Sequence, residues 1–336
     1  MPRFAVIGID HGHIFDHVKG LLAEGWELAG HCPETSVPAL LKTFEDAYPD
    51  SPRTARAALF DDESIDVICT AAIPCDRAGI AMTAMRNGKD VISDKPGVTT
   101  FTQLAQIEKT IAETGRIFSV CFTERFSVRS AEKAGKLVGN GAIGQVIQTL
   151  GTGPHRLGSG RPDWFYKHDA FGGILVDIGS HQIDQFLFYT GSETAEVATS
   201  SVGNFANQST PEFEDFGDLV LRSEKATGYI RVDWFTPDGL PTWGDGRLVI
   251  LGTEGYIELR KYVDIAGRDG KDHLFLVNKR GVEYIDCSTE PKSYFRNFAN
   301  DVRDRTETAM TQRHVLEVCR LSLEAQSKAT KLAKKD

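Results

Sequence analysis

The chain has 336 residues, 41% hydrophobic and 25% charged, with a formal net charge of −9, a globular mixture long enough for two domains. The acidic balance and the lack of a Lys/Arg block argue against nucleic acid or anionic membrane as the main partner. No apolar run reaches the ~18–20 residues that span a bilayer, and strand-like Phe4–Ile7 begins almost at once, without a signal-peptide pattern. Six cysteines without a CxxC pair read as reduced thiols of a cytoplasmic protein.

Phe4–Gly8 reads as a short apolar strand, followed by a helix over Ile14–Glu24 and a second strand at Trp26–His31. Ile65–Ala72 is continuous and β-branched, as a strand buried on both faces requires. A helix at Arg77–Asn87 ends on Gly88, a strand follows at Asp90–Ser93, then a helix at Phe101–Thr114 stopped by Gly115, and a strand at Ile117–Phe122. This alternation predicts a doubly wound parallel sheet over residues 1–121.

From residue 122 the texture changes. A helix at Val128–Val138 leads to strands at Val146–Gly151, Val197–Ala206, Phe213–Arg222 and Gly228–Phe235. Four more follow at Leu248–Leu251, Gly255–Arg260, Leu274–Asn278 and Glu283–Cys287. Short turns and a period of two predict an open, mainly antiparallel sheet. Helices near Tyr294–Asp304 and Arg313–Lys331 close the chain, with Lys331, Lys334 and Lys335 as a solvated helix end. The fold class is α/β, with a second α/β domain over residues 122–336.

Ligands bind parallel sheets at the carboxyl ends of the strands. That edge offers Gly8, Asp10, His11, His13 and Ile14, then Glu34, then Ala72, Ile73 and Pro74, then Asp94 and Lys95. In a dinucleotide GxGxxG turn the glycines make the bend, admit the pyrophosphate and pack helix on strand. Here Gly8, Asp10 and His13 fill those places, and Gly12 is displaced by one. Asp10 suits a pyrophosphate only if its carboxylate is turned away or paired with His11 or His13. Glu34 is the candidate for the adenosine ribose, and no neighbouring Arg or Lys in the sequence attracts a 2′-phosphate, which favours NAD over NADP. Asp10, His11, His13 and His17 are metal-type ligands, but neighbours on one strand-to-helix turn rarely converge, so no metal is expected.

The segment from Gly172 to Asp184 carries Asp177 and His181 four apart, on one face if the helix is continuous. Its apolar neighbours bury it, and a buried Asp and imidazole need partners or a use. A structural Asp–His bond inside a core competes with a catalytic use, and Asp184 reads equally as a cap or core hydrogen bonder. Before it, Arg156, Trp164, Tyr166 and Lys167 lie in a polar, aromatic stretch suited to a polyhydroxylated ring or a sugar acid.

Taken together these motifs resemble the Gfo/Idh/MocA family of sugar and cyclitol oxidoreductases. Asp94-Lys95-Pro96 is similar to its Glu-Lys-Pro strand end, with Asp for Glu. Ala71–Pro74 is similar to its third-strand cofactor loop, Phe122–Phe126 with Gly141–Gly144 to its entry into the second domain, and Gly172–Asp184 to its active-site helix. The resemblance implies a Rossmann domain binding NAD or NADP, and a sugar-like substrate among Lys95, Asp177, His181 and the nicotinamide. It also implies that Arg156, Trp164 and Tyr166 help form the substrate pocket, and a homodimer or homotetramer built through the open sheet. His181 is the candidate base, since imidazole titrates near neutral pH, and Lys95 the group that polarises the hydroxyl or carbonyl. Asp177 orients His181 or binds a hydroxyl. The alternatives are a redox-assisted lyase, hydrolase or epimerase with tightly held NAD, and a non-catalytic dinucleotide-binding protein.

Overall fold

A computed structural model describes residues 1–332 of the chain. The chain packs as two compact units interleaved in sequence. The first comprises Met1–Cys121, Pro162–Gly172 and Ser293–Cys319; the second comprises Phe122–Arg161, Gly173–Lys292 and the residues from Arg320 onward.

The first unit is built on β1 (Arg3–Ile9), β2 (Glu27–His31), β3 (Val67–Ala71), β4 (Asp90–Asp94) and β5 (Phe118–Cys121). All neighbours are parallel, in the order β2-β1-β3-β4-β5. Every residue of β3, β4 and β5 is buried, which accounts for their unbroken apolar, β-branched character. The strand order reverses beside β1 and β3, so the topological switch point falls at the turns following them. Helices α1 (Ile14–Ala23), α4 (Pro74–Arg86) and α5 (Phe101–Thr114) connect the strands as expected. Helix α5 keeps its expected bounds because both ends are capped: Thr100 Oγ1 accepts from the Gln103 N–H, and Gly115 takes a φ of 62°. Two further helices, α2 (Pro38–Ala47) and α3 (Arg56–Asp61), fill the stretch after β2 to which no element was assigned from the sequence.

Two later segments complete this unit. A 3-10 turn (Asp163–Tyr166) and α8 (His168–Phe171) form the first. In the second, α11 (Tyr294–Asp304) is fixed by the Tyr294 hydroxyl on Ser119, while Arg305 just beyond it pairs with both oxygens of Asp90.

The second unit carries α6 (Thr123–Phe126), α7 (Arg129–Gly139), α9 (Ile174–Asp177), α10 (Gly179–Thr190) and a nine-stranded sheet. Its strands are β6 (Val146–Pro154), β7 (Glu196–Gly203), β8 (Phe216–Arg222), β9 (Thr227–Asp233), β10 (Arg247–Gly252), β11 (Gly255–Arg260), β12 (His273–Asn278), β13 (Gly281–Asp286) and β14 (Thr330–Leu332). The order is β13-β12-β11-β10-β6-β9-β8-β7-β14, antiparallel except at β6–β9 and β7–β14. Strands β7 and β8 are shorter than the hydrophobic pattern suggests. The buried Asp215 carboxylate accepts from the Phe205 and Ala206 N–H groups and from Asn207, and so holds the intervening residues as a closed loop. The final helix, α12 (Gln312–Lys328), also stops early. Thr330–Leu332 leaves it to pair parallel with β7, so Lys331 lies in a strand rather than at a helix end. Lys334 and Lys335 lie outside the described residues. Among the described residues, no helix is long and apolar enough to cross a membrane.

Candidate functional site

At the switch point of the first unit, Gly8 has a φ of 88°, and a Cβ there would stand 2.4 Å from that of Ala72. Only glycine satisfies both constraints. Asp10 is turned away from the loop: its Oδ1 accepts from the Ser36 N–H at 2.6 Å, the Ser36 hydroxyl at 2.7 Å and the Thr35 hydroxyl at 3.0 Å. The obstacle that its charge poses to a pyrophosphate is thereby met by Thr35 and Ser36, not by the histidines. Ile14 is fully buried and opens α1.

His11 and His13 converge on the end of β4. His13 Nδ1 lies 2.8 Å from Asp94 Oδ1, and His11 Nδ1 lies 3.2 Å from Asp94 Oδ2. The expectation that ligands on this turn stay apart therefore fails for these two, because Asp94, contributed by another strand, gathers them. Arg77, from α4, completes the frame. Its Nη2 is 3.1 Å from Asp94 Oδ2, its Nε donates to the Ala72 carbonyl at 2.7 Å, and its Nη1 donates to the Lys95 and Pro96 carbonyls. Burial alone would raise the Asp94 pKa, but His13, Arg77 and His11 hold it well below the usual carboxylate range. Burial and His13 lower that of His11 against the pull of Asp94, which leaves its imidazole neutral at pH 7.

Lys95 follows directly. Its N–H donates to Asp94 Oδ1 at 2.8 Å, its peptide bond to Pro96 is cis, and the residue is buried. Arg77 was not singled out in the sequence, where it stands beside Asp76 in the first turn of a helix that also carries Arg86. Ile73 and Pro74 lead into α4. Glu34 is exposed and paired with Arg56 Nη2 at 2.8 Å. An arginine is thus brought beside the ribose candidate from 22 positions along the chain, contrary to the expectation that none stands there. Trp164 and Tyr166 sit on the 3-10 turn of the same unit, both half-buried.

In the second unit the helix carrying Asp177 and His181 is not continuous. Gly172 and Gly173, at φ 89° and 94°, reverse the chain ahead of α9, which ends at Asp177; α10 begins at Gly179. Asp177 and His181 are both buried, but on successive helical segments rather than one turn apart in a single helix. Asp184 is buried, and its carboxylate receives two hydrogen bonds of 2.7 Å from Arg125.

A polar network that the sequence did not single out lies around His181. Glu124 Oε2 accepts from Lys261 Nζ at 2.7 Å and from Gln182 Nε2 at 2.9 Å, and Gln185 Nε2 donates to Gln182 Oε1 and to the His181 carbonyl. Glu124 and Lys261 are both buried. Desolvation pushes Glu124 up, but Lys261, His181 and His155 together bring it down to about 2. The signal was present in the Phe122–Phe126 motif, where Glu124 precedes Arg125 on a short helix. Arg156, expected to meet a substrate carboxylate, instead donates from its guanidinium to the Pro237 and Leu240 carbonyls at 2.7 and 2.6 Å.

Residues 3–122 match the model of the oxidoreductase family with an NAD-binding Rossmann fold, and residues 131–258 match the Gfo/Idh/MocA C-terminal domain. The chain belongs to the Gfo/Idh/MocA oxidoreductase family. It is similar to a protein from Erwinia carotovora atroseptica SCRI1043, provisionally called an oxidoreductase, whose crystal structure superimposes with a TM-score of 0.96. The two are 48% identical over 99% of this chain and 100% of that one. It is 28% identical to the scyllo-inositol 2-dehydrogenase (NAD(+)) of Bacillus subtilis (strain 168) over 59% of this chain and 56% of that protein. With inositol 2-dehydrogenase 2 of Saccharopolyspora erythraea it shares 26% identity over 60% and 56%. The chain spans about half the length of the curated relatives it matches. The first unit's cofactor is thus the family's nicotinamide dinucleotide. The glycine-only position at Gly8 and the sequestered Asp10 carboxylate fit such a ligand.

Proposed function

We propose that this family member is an NAD(P)-dependent dehydrogenase or reductase acting on a sugar, cyclitol or related polyol. Residues 1–121 would hold the dinucleotide, and residues 122–336 the substrate and the oligomer contacts. The observation that carries the reading is Lys95, a buried lysine at the carboxyl end of β4 whose backbone is fixed by Asp94 and Arg77. The relatives named for inositol oxidation support the substrate class.

Gly8, His11, His13, Ile14, Ala72, Ile73, Pro74, Asp94 and Lys95 are the cofactor contacts, and Asp10 meets the dinucleotide through its backbone only, since its carboxylate is held by Thr35 and Ser36. Glu34 takes the ribose, and because its carboxylate already neutralises Arg56, NAD stays favoured over NADP. The bound nicotinamide supplies a hydride acceptor or donor. The chain itself handles the proton and the developing charge. His181 takes the proton from the hydroxyl being oxidised. Lys95 donates a hydrogen bond to that oxygen and stabilises it as an alkoxide, because an ammonium in a water-poor setting acts at low dielectric. Glu124, anchored by Lys261, lies within electrostatic reach of His181 and ties the Gln182 side chain next to it in place. Asp177, Trp164 and Tyr166 are the substrate contacts. Arg156, already held by two carbonyls, keeps the Pro237–Leu240 loop in place.

The open sheet supports a homodimer or homotetramer, and the composition a cytoplasmic location. The test is reduction of added NAD or NADP in the presence of inositols, hexoses and pentoses, followed by nicotinamide absorbance. Turnover with one of these classes, and preference for NAD, is the expected result. No reduction with any polyol, from protein that binds the dinucleotide calorimetrically, would overturn it. Cofactor that copurifies and is neither consumed nor replaced would move the reading to redox-assisted elimination, hydrolysis or epimerisation.

A further inference from the structure

We propose that His11, His13 and Asp94 form a binding site for a zinc-type divalent cation. One nitrogen of each imidazole and one oxygen of the carboxylate lie within 4.8 Å of one another. Two imidazoles and one carboxylate are a recurrent donor set for zinc with positions left open for an outside ligand. The two rings are about a quarter exposed while Asp94 is fully buried, so the set is anchored from beneath and open above.

The local hydrogen bonding supports a cation at this point. The His13 N–H points at His11 Nδ1 at 3.3 Å, which marks that nitrogen as a lone-pair bearer. The same nitrogen stands 3.2 Å from Asp94 Oδ2, a buried oxygen that accepts no well-aligned hydrogen bond. Two acceptors facing each other repel unless a proton or a metal ion lies between them. The outer partners are also in place. Lys95 N–H holds Asp94 Oδ1, and Arg77 lies beside Oδ2 with its plane set by three backbone carbonyls. Metal-binding carboxylates are generally hydrogen-bonded in this way.

A second observation is independent of the cluster. His17, one helical turn beyond His13, is fully buried, and neither ring nitrogen has a hydrogen-bond partner. It lies close enough to feel the charges of Asp94, His13, Arg77 and His11. An unpartnered imidazole in this position is costly, although His17 stands outside the three-residue donor set itself. Asp10 is not a ligand, because Thr35 and Ser36 already hold it.

The charge balance selects the metal. Arg77 offsets the charge of Asp94, so the cluster offers nitrogen lone pairs rather than net negative charge. Hard cations such as magnesium and calcium need several oxygen ligands, whereas zinc and cobalt take imidazole readily.

The test uses the full chain without nucleotide, so its outcome does not depend on the dinucleotide reading. Purified protein, stripped with a chelator, is dialysed against zinc chloride and, separately, magnesium chloride, and the bound metal is measured by mass spectrometry. Cobalt chloride is added in parallel and its visible absorption recorded. One zinc per chain, a cobalt spectrum of low coordination number and no magnesium are expected. His11→Ala and His13→Ala, checked for native circular dichroism, should each weaken zinc binding by roughly 10-fold or more. Absence of zinc uptake would overturn the proposal and leave a shared proton between His11 and Asp94. Uptake unchanged in both variants would overturn it equally, placing the metal on other histidines.

Discussion

Lys95 shows how one residue's role follows from its surroundings. An ammonium at a strand end is ordinarily solvated, but here burial and the Asp94–Arg77 frame leave little freedom to its backbone. Lys95→Met keeps the length and apolar stem and removes only the charge. It should abolish dehydrogenase turnover, with a loss on the order of 10²–10³-fold, while circular dichroism and thermal melting stay near wild type. His181→Ala tests the base in the same way, and its remaining activity should rise with pH as hydroxide replaces the imidazole. Glu124 gives the pH dependence of stability. Its pKa is about 2 in the folded chain against 4.5 for an ordinary glutamate, so the folded state binds fewer protons. The stabilisation is whole above about pH 4.5 and is lost as pH falls toward about 2. In Glu124→Gln the melting temperature should drop less across that window than in wild type. At pH 7 the variant should be less stable, by up to about 3–5 kcal/mol, because Lys261 stays buried without its counter-charge.

At the scale of elements, the turn from β1 into α1 does the most. Gly8→Ala puts a Cβ into Ala72 and a side chain at a φ of 88°. The backbone conformation alone costs about 1–3 kcal/mol. Calorimetry should show loss of dinucleotide affinity together with a lower melting temperature; unchanged affinity would mean that this turn does not cradle the cofactor. The turn was legible in the sequence because a glycine and a polar run directly after a buried strand mark a tight bend at the sheet's carboxyl edge. Strands β1, β3 and β4 were legible because their apolar runs are too short for helices and too continuous for edge strands. Helices α2 and α3 went unread: Leu40, Leu41 and Phe44 in α2 do stand at helical spacing, but only Phe44 is buried, and α3 is six residues long. The helix break at Ile178 was hidden because Ile174, Leu175 and Ile178 up to it and Ile183 and Leu187 beyond it both keep helical spacing. Arg77, Glu124 and Lys261 were hidden more deeply. Each is a charged residue whose use depends on a partner from 17 to 137 positions away, and spacing alone carries no sign of that.

At the scale of the molecule, the return of residues 162–172 and 293–319 to the first unit shows that chain order and packing order differ. The nine-stranded sheet raises the question of what covers its second face. Along β6, Val146, Thr149 and Gly151 are buried while Ile147 and Leu150 are exposed. Leu150 pairs with Tyr229 on one side and Val249 on the other, and Leu251 pairs with Tyr256. Leu150, Tyr229, Leu251 and Tyr256 are each between 36% and 39% exposed, so the face carries a contiguous apolar patch across four neighbouring strands. Patches of this kind on a flat sheet are commonly closed by a second copy, since a two-fold axis places like residues against like. Leu150→Glu and Tyr256→Glu each put a charge at the middle of the patch without touching the buried side. Light scattering should find wild type as a dimer or tetramer, and both variants shifted to monomer with melting behaviour that becomes concentration-independent. A wild-type chain that remains monomeric at high micromolar concentration would show that the patch serves another purpose, and the oligomer expected from the open sheet would then be wrong.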